Sequence, residues 1–140
     1  MIVLDTNVIS ELMRREPEPK VMAWVAEQPM AGVFTTTLTQ AEIFYGLALL
    51  PEGRRRDDLL AAAQPMFEVD LAGRVLPFDT DAAGAYPEIA ASRKGAGKPI
   101  SQIDAQIAAI VRSRGARLAT RNVADFADCG ITVVNPWSAR

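Results

Sequence analysis

Short apolar runs alternate with longer segments of helical periodicity along this chain. The first run, residues 2–4 (IVL), contains no polar residue, which is typical of a strand covered on both faces. Other extended segments are predicted at residues 32–37, 74–79, 116–120 and 131–134. Helices are predicted in between, at residues 7–14, from Pro19 onwards, and at residues 38–50, 52–67, 81–95 and 101–115. This alternation predicts an α/β fold with a mainly parallel sheet.

Two local features are predicted in the helix at residues 81–95. Asp81 is expected to be its N-cap, because a carboxylate there can accept a hydrogen bond from the first turn. Pro87 lies within the helix and lacks a backbone N–H. It is expected to kink the helix or to end a short first piece.

The composition is that of an ordinary globular protein. Its 140 residues suffice for one domain, residues 1–140, with a hydrophobic core. The net charge is −2, from 15 basic and 17 acidic residues. This charge disfavours a generic basic wrap around nucleic acid but is compatible with a local basic strip. Neither a secretory signal nor a membrane span is indicated, so a cytoplasmic protein without membrane association is expected.

Histidine is absent, and Cys129 is the single cysteine. These counts exclude an internal disulfide, a multi-cysteine metal site and histidine-ligated zinc. They also exclude histidine general bases and the Ser-His-Asp and Cys-His types of catalysis. Any catalysis must therefore depend on carboxylates, hydroxyls, amines or an oxygen-bound metal.

Polar side chains follow two of the predicted strands. Asp5 comes directly after the first strand, and three polar residues lie at or just beyond the strand at 116–120: Thr120, Asn122 and Asp125. In an open parallel sheet, binding sites form at the carboxyl ends of strands. Simpler explanations also exist, because Asp5 can stabilise a helix N-terminus and Asp125 can be an ordinary turn residue.

Two further acids, Glu42 and Asp104, lie near the starts of predicted helices that face the same rim of the sheet. Glu42 stands three residues after Thr39, and Asp104 three residues after Ser101, so each pair is also a candidate capping box. Both helices are very apolar, however, which favours a partly desolvated cleft for their acids. Four acids from distant parts of the sequence are thus expected to converge.

Converging carboxylates need a cation or a shared proton. Two carboxylates about 4 Å apart repel by roughly 4 kcal/mol at an effective dielectric constant near 20. Oxygen-only ligands select a hard ion, Mg²⁺ or Mn²⁺. Such an ion turns water into a nucleophile and neutralises a phosphodiester in its transition state. The acids therefore favour metal-dependent hydrolysis.

Several motifs together resemble PIN domains of the VapC type. They are IVLDTNVISEL, TQAEIFYGLALL, LPFD, SQIDAQIAA, LATRNVADF and VVNPW, in this order over essentially the whole chain. The resemblance implies a PIN-like three-layer α/β/α fold. It also implies the toxin component of a bacterial type II toxin–antitoxin system. Such toxins are Mg²⁺- or Mn²⁺-dependent endoribonucleases that hydrolyse RNA through a carboxylate-bound, metal-activated water.

The resemblance also implies roles for individual residues. Asp5, Glu42 and Asp104 match the catalytic acids that hold one or two ions and orient the attacking water. Many family members carry a further acid where this chain has Asn122. Either Asn122 as a metal ligand or Asp125 as a catalytic acid is therefore expected to fill that position. Supporting roles are expected for Thr6, Asn7 and Thr120.

Basic residues are candidates for guiding RNA. Arg121 is the strongest candidate, because it adjoins the proposed site. The others are Arg14, Arg15, Arg54, Arg55, Arg56, Arg93, Lys94 and Lys98. For residues 54–56, a solvated helix face is the more favoured interpretation. Phosphate contacts by any of these residues would position RNA without selecting a sequence.

Partners also follow from the resemblance. The chain is expected to form a homodimer, to act on an RNA substrate, and to bind a cognate antitoxin with a DNA-binding part in a higher assembly. The antitoxin's tail is expected to cover the acidic cleft. Three aromatic residues lie on apolar helical segments that meet either such a partner or the core: Trp24, Phe44 and Tyr45.

Two other functions fit parts of the sequence. A phosphatase with an aspartyl nucleophile also places an aspartate after its first strand. It needs a second acid two residues later, where this chain has Asn7. A non-catalytic binding module, whose acidic cleft holds a basic side chain of a partner, is compatible with the amide at Asn122. The sequence indicates neither the RNA target nor the number of metals.

Overall fold

Five parallel strands form the sheet within residues 1–139, the part of the chain that the computed structural model describes. The strands are β1 (Ile2–Leu4), β2 (Val33–Thr36), β3 (Val75–Leu76), β4 (Arg117–Ala119) and β5 (Thr132–Val134). Their order is β3-β2-β1-β4-β5, and every pairing is parallel. The prediction of a mainly parallel sheet is confirmed. Arg140, the last residue of the predicted domain, lies outside the described part.

Helices and helical turns connect the strands. The helices are α1 (Thr6–Leu12), α2 (Pro19–Ala26), α3 (Thr37–Ala48), α4 (Arg54–Pro65), α5 (Thr80–Gly95) and α6 (Gln102–Ser113). Short 3-10 turns lie at Met30–Gly32 and Val123–Phe126, and a π-helical turn at Met66–Asp70 follows α4. Among the described residues, none of these helices has both the length and the apolar character that crossing a membrane requires.

The sheet separates two hydrophobic cores. Side chains alternate along a strand, so Ile2 and Leu4 belong to one core and Val3 to the other. Helices α1 to α4 contribute to the first core, while α5 and α6 close the second through residues such as Ile89 and Ile107. All three residues of β1 are buried, as the uninterrupted apolar run predicted. The three-layer α/β/α architecture is thus confirmed.

The start of α5 differs from the sequence-based prediction. Asp79, not Asp81, is the N-cap: its carboxylate accepts a hydrogen bond from the Ala82 N–H (3.0 Å). Asp81 lies in the first turn, where a negative charge is favourable near the positive end of a helix. The helix is also not divided at Pro87 but continues through it as one element. Burial of Ala82 and Ile89 on either side of the proline holds both halves against the core.

The strand order places a crevice at the carboxyl ends of β1 and β4. The chain passes from β1 to β2 on one side, whereas β4 pairs with β1 on the other. Ligand sites in open parallel sheets form where the order reverses in this way. The Asp5 N–H donates to the Ala119 carbonyl (2.9 Å), and the Thr120 N–H donates to the Val134 carbonyl (2.9 Å). Both residues are thereby fixed at the crevice.

Candidate active site

A cleft of about 510 Å³ opens at the carboxyl ends of β1 and β4. Its walls come mainly from α1, α3, the start of α6 and the turn after β4. The lining residues are Asp5, Thr6, Asn7, Ser10, Glu11, Arg14, Glu42, Asp104, Arg121, Asn122 and Trp137. Three of the four acids that were expected to converge therefore line one cleft: Asp5, Glu42 and Asp104.

Asp5 lies at the floor of the cleft and is only 5% exposed. Its Oδ1 accepts a hydrogen bond from the Thr6 N–H (2.8 Å), which makes it the N-cap of α1. Its Oδ2 accepts a hydrogen bond from the Thr120 hydroxyl (2.7 Å). The helix-capping role and the cleft role predicted for Asp5 therefore coexist, with one carboxylate oxygen engaged in each.

Asn7 joins the first helix to the turn that follows β4. Its Nδ2 donates to the Thr120 hydroxyl (3.1 Å) and, at 3.4 Å, to Oδ2 of Asp5, while its Oδ1 accepts from the Arg121 N–H (3.1 Å). The Thr120 hydroxyl also accepts from the Asn122 N–H (3.1 Å). Asn7 and Thr120, for which supporting roles were predicted, thus hold the turn in place beside Asp5.

Glu42 does not belong to a capping box. The N-cap of α3 is Thr36, whose hydroxyl accepts from the Thr39 N–H (3.1 Å), so Glu42 lies beyond the first turn. Its Oε1 accepts a hydrogen bond from the Thr6 hydroxyl (2.7 Å), and that hydroxyl also lies 3.1 Å from the Thr39 hydroxyl. Thr6 therefore supports the site by orienting a second carboxylate toward α1.

Asp104 contacts the cap of α6 through its backbone and lines the cleft with its side chain. Ser101 is the N-cap of α6 and accepts a hydrogen bond from the Asp104 N–H (3.2 Å). The capping prediction is therefore confirmed for the Ser101 hydroxyl. The Asp104 carboxylate, in the first turn of α6, lines the cleft.

Burial and mutual repulsion raise the pKa of two of the cleft carboxylates. The pKa of Asp5 is raised above 3.8 mainly by desolvation; its bonds to Thr120 and Thr6 oppose the rise, and the charges of Asp104 and Glu42 add to it. The pKa of Asp104 is also raised, mainly by burial. Ser101 and Arg93 oppose that rise, and the charges of Asp125 and Glu42 increase it. Burial is thus the main cause of both rises, and repulsion among the acids adds to it.

Asn122 and Asp125 occupy different surroundings. Asn122 lines the cleft, whereas Asp125 lies in the exposed 3-10 turn Val123–Phe126 and is not among the lining residues. Asp125 is nevertheless near enough to raise the pKa of Asp104. The structure thus brings the amide, rather than the acid, to the wall of the cleft.

Arg93 is buried and is not available to guide RNA. Its guanidinium donates to the backbone carbonyls of Lys98 (2.7 Å), Asp125 (2.9 Å) and Ala127 (2.9 Å). A buried guanidinium with several carbonyl acceptors is a structural anchor. It attaches α5 to the turn that carries Asp125.

Two arginines stand on the walls of the cleft, and each has a supporting side chain. The Arg121 guanidinium lies 5.0 Å from the ring centroid of Trp137, a distance typical of a cation–π contact. Arg14 forms an ion pair with Glu11 (3.1 Å), whose carboxylate also accepts from the Glu18 N–H (3.0 Å).

Glu11 and Trp137 were not sequence-based candidates. The acid on a largely apolar helix and the closing VVNPW motif were the available signals.

The donor set fits a hard divalent cation held largely through water. Within residues 1–139, no three acidic, cysteine or histidine side chains form a ready-made ligand cluster. Mg²⁺ commonly keeps several waters and is bound by only one or two carboxylates together with substrate phosphates. An ion beside Asp5 would also offset the repulsion from Asp104 and Glu42 that raises its pKa.

A family model described as PIN domain matches residues 2–130 of this chain. The chain belongs to the PIN-domain family. Over 137 residues this PIN domain is 42% identical to VapC ribonuclease Y4jK of Sinorhizobium fredii, with 98% of each chain covered. It is 37% identical over 137 residues to Toxin FitB of Neisseria gonorrhoeae, covering 98% of this chain and 99% of that protein.

Solved structures agree with this assignment. A chain in the structure of FitAB bound to an IR36 DNA fragment superposes on this PIN domain with a TM-score of 0.92 at 36% identity, covering 100% of this chain and 98% of that chain. The resemblance to VapC-type PIN domains that the motifs indicated is thus confirmed.

Proposed function

We propose that this PIN domain is the toxin of a type II toxin–antitoxin system and acts as an Mg²⁺- or Mn²⁺-dependent endoribonuclease. The observation that carries the proposal is the convergence of Asp5, Glu42 and Asp104 in one cleft at the sheet's switch point. The relatives named VapC ribonuclease and Toxin FitB support it.

Two roles are proposed for the acids of the cleft: binding a cation and orienting the attacking water. Asp5 and Asp104 are the proposed ligands, because both line the cleft and both have a raised pKa that a cation would lower. A bound Mg²⁺ or Mn²⁺ would supply Lewis-acid activation of water and neutralise charge on the phosphodiester. The Thr6 hydroxyl orients Glu42. Glu42 is proposed to orient the attacking water by accepting a hydrogen bond from it.

The position beside the turn after β4 is assigned to Asn122 rather than Asp125. Asn122 lines the cleft, and its carbonyl oxygen is a neutral ligand for a hard cation or for a bound water. Asp125 is proposed to act only through its charge, by raising the pKa of Asp104. Arg121, on the wall of the same cleft, is proposed to bind a phosphate of the RNA.

The proposal is tested by neutralising Asp5 and Asp104, the two cleft acids whose pKa is raised. Asp5→Asn and Asp104→Asn are each expected to lower RNA cleavage in Mg²⁺ by at least about 100-fold, in the range seen when one group that stabilises transition-state charge is removed. Asp81→Asn is the matched control, because Asp81 is exposed on α5 outside the cleft. Cleavage ends are mapped by RNA sequencing, and folding is checked by circular dichroism. Wild-type cleavage by a folded Asp5→Asn/Asp104→Asn double variant would refute the proposal.

A non-catalytic binding module is the second candidate function. It is favoured by the neutral Asn122 and by the absence, within residues 1–139, of a ready-made cluster of three ligands. Calorimetric titration with Mn²⁺ separates the two functions, because a module that only holds a basic side chain would bind no metal. A phosphatase is disfavoured, because Asn7 stands where the second acid is needed.

The proposed role includes an antitoxin. The similar FitAB structure is bound to a DNA fragment, which supports an antitoxin with a DNA-binding part and a higher assembly on DNA. We further propose a homodimer that acts in the cytoplasm, where its RNA substrate is found. Trp24 is buried in the first core, whereas Tyr45 is 67% exposed and is the better candidate for a partner contact. Copurification with the product of a neighbouring short reading frame, followed by sedimentation analysis, tests both assemblies.

A further inference from the structure

Three arginines from two distant segments converge outside the cleft. Arg15 follows α1, and Arg54 and Arg55 open α4, yet all three line one concavity of about 360 Å³. We call Arg15, Arg54 and Arg55 the arginine cluster. Its side chains are exposed, and Asp58 is the single acid among the residues that line the concavity. The fold therefore concentrates positive charge at one place on a protein of net charge −2.

The fold itself does not explain this concentration of charge. Among the described residues, no ion pair involves any member of the arginine cluster. Arg54 and Arg55 also lie in the first turn of α4, where the helix dipole favours acidic rather than basic side chains. By contrast, the neighbouring Arg56 lines a different concavity together with Glu52 and Asp57. The arginine cluster is thus neither paired with an acid nor favoured by the helix terminus at which Arg54 and Arg55 lie.

A groove connects the arginine cluster to the acidic cleft. This groove of about 240 Å³ runs between α1, α3 and α4. It shares Thr6, Ser10 and Glu42 with the cleft, and it shares Leu59 with the concavity of the arginine cluster. The cleft, the groove and the concavity of the arginine cluster therefore lie side by side on the surface and share lining residues.

The cleft is acidic, so an RNA strand that enters it would gain from positive side chains nearby. Four acids line the cleft, Asp5, Glu11, Glu42 and Asp104, against only Arg14 and Arg121. These acids repel the phosphates that flank the scissile bond, and positive groups beside the cleft would offset that repulsion. Guanidinium groups bind phosphates through paired hydrogen bonds, and such contacts supply most of the sequence-independent affinity for nucleic acids.

We propose that the arginine cluster binds backbone phosphates of the RNA strand on one side of the scissile bond, with the intervening nucleotides lying along the groove. This inference rests on the proposed ribonuclease function and adds a second contact region to it. An RNA strand is favoured as the occupant because a single groove separates the arginine cluster from the cleft that would hold the scissile phosphate, and it shares lining residues with both.

The experiment measures the affinity of labelled oligouridylates by fluorescence anisotropy in the presence of a chelator, so that no cleavage occurs. Two lengths are compared, about six and about sixteen nucleotides, which span the usual site sizes for single strands. The wild type is compared with Arg15→Gln/Arg54→Gln. The matched control is Lys20→Gln/Arg117→Gln, which removes the same charge from α2 and from the start of β4 at the opposite end of the sheet.

The wild type is expected to bind the longer strand roughly tenfold more tightly than the shorter one. The arginine variant is expected to bind both strands with similar affinity. Its slope of log affinity against log salt should fall by about 1.4, since each lost phosphate contact on a single strand removes about 0.7. The control variant should keep both values near those of the wild type. Equal losses in the two variants, or an unchanged length dependence, would overturn the inference.

Two further measurements separate this inference from others. If the arginine variant keeps its RNA affinity but loses affinity for an oligoglutamate peptide, the surface binds an acidic protein segment and the RNA inference is wrong. If the wild type cleaves no RNA in Mg²⁺ or Mn²⁺ although the length-dependent RNA binding is present, the proposed ribonuclease function fails while the phosphate contacts stand. Thermal unfolding of each variant confirms that folding is unchanged.

Discussion

Asp5 and Asp104 have pKa values above 3.8, the ordinary value that they have in the unfolded chain. Between 3.8 and the raised values, the folded protein binds more protons than the unfolded chain, so its free energy of unfolding falls as the pH rises through that window. The stabilising contribution of the protonated carboxyls is complete below pH 3.8 and is lost above the folded pKa values. Charged groups in a functional cleft are often kept at the expense of stability.

Asp104→Asn should therefore stabilise the metal-free protein at neutral pH. A gain of roughly 1 kcal/mol, or about 2–4 °C in Tm for a chain of this size, is expected. The gain should shrink as the pH falls toward 3.8, because the wild-type carboxyl is then protonated as well. Thermal unfolding in a chelator across this range provides the measurement, with the exposed Asp81→Asn as control. A pH-independent gain, or none, would contradict the assigned cause.

Trp137 is expected to act on RNA through Arg121. The ring lies 5.0 Å from the guanidinium and so limits where that charge can lie along the cleft wall. Trp137→Leu should raise KM for RNA by roughly two- to fivefold, the equivalent of an exposed cation–π contact, with little change in kcat. Trp137→Phe, which keeps an aromatic face, should restore most of the loss.

A double-mutant cycle distinguishes this role from direct stacking on a nucleobase. If Trp137 acts through Arg121, Trp137→Leu should have no further effect on KM in an Arg121→Ala background. A full additional loss in that background would show that the ring contacts RNA itself. Urea unfolding of each variant is needed as a control, because Trp137 also packs against the first core.

At the scale of elements, the sequence predicted those strands and helices whose position depends on a short local pattern of residues. The run at residues 2–4 identified β1 because each of its residues is buried. The cap of α3 could not be identified in the same way, because Thr36 and Thr39 are equally competent caps within one threonine-rich stretch. The backbone decides between them, since Thr36 is extended and Thr39 is already helical. Asp79 and Asp81 presented the same ambiguity at the start of α5.

Some features of the candidate site were likewise predictable from the sequence, and others depend on contacts made only in the folded chain. The strand-end rule brought Asp5, Glu42 and Asp104 together correctly, because it depends only on the order of elements. The contact of Asn7 with the Arg121 N–H depends on the register of β4 against β1, which no local pattern encodes. Arg93 was misjudged because a charged residue is normally exposed. Its burial depends on three carbonyls that meet only in the folded chain.

Arg93 should therefore be essential to the junction between α5 and the turn Val123–Phe126. Arg93→Met leaves the carbonyl oxygens of Lys98, Asp125 and Ala127 without this donor, and it should lower the free energy of unfolding by about 3 kcal/mol. Arg93→Lys keeps the charge but not the fork of donors, so an intermediate loss is expected. Urea unfolding measures both.

The neighbouring residue offers a control for the Arg93 prediction. Lys94 is exposed on the same helix, so Lys94→Met should change the free energy of unfolding by less than about 0.5 kcal/mol. If Arg93→Met and Lys94→Met unfold at the same urea concentration, the guanidinium does not anchor the turn.

For the molecule as a whole, the proposed metal site joins segments that are far apart in the chain. Asp5 follows β1, Glu42 lies on α3 and Asp104 lies in the first turn of α6, so their carboxylates line one cleft only in the folded state. A cation that binds them binds the native chain and not the unfolded one. It should therefore raise the free energy of unfolding by about 2.7 kcal/mol at a hundredfold excess over its Kd.

Thermal unfolding with increasing Mn²⁺ or Mg²⁺ tests this linkage without any RNA. Wild-type Tm should rise by several degrees and continue to rise with the logarithm of the metal concentration. In Asp5→Asn/Asp104→Asn the rise should disappear, because two carboxylates of the cleft are lost, whereas Asp81→Asn should behave as the wild type. A sodium chloride series at matched ionic strength corrects for screening of the repulsion among the acids. An equal rise in the double variant would place the cation elsewhere on the molecule.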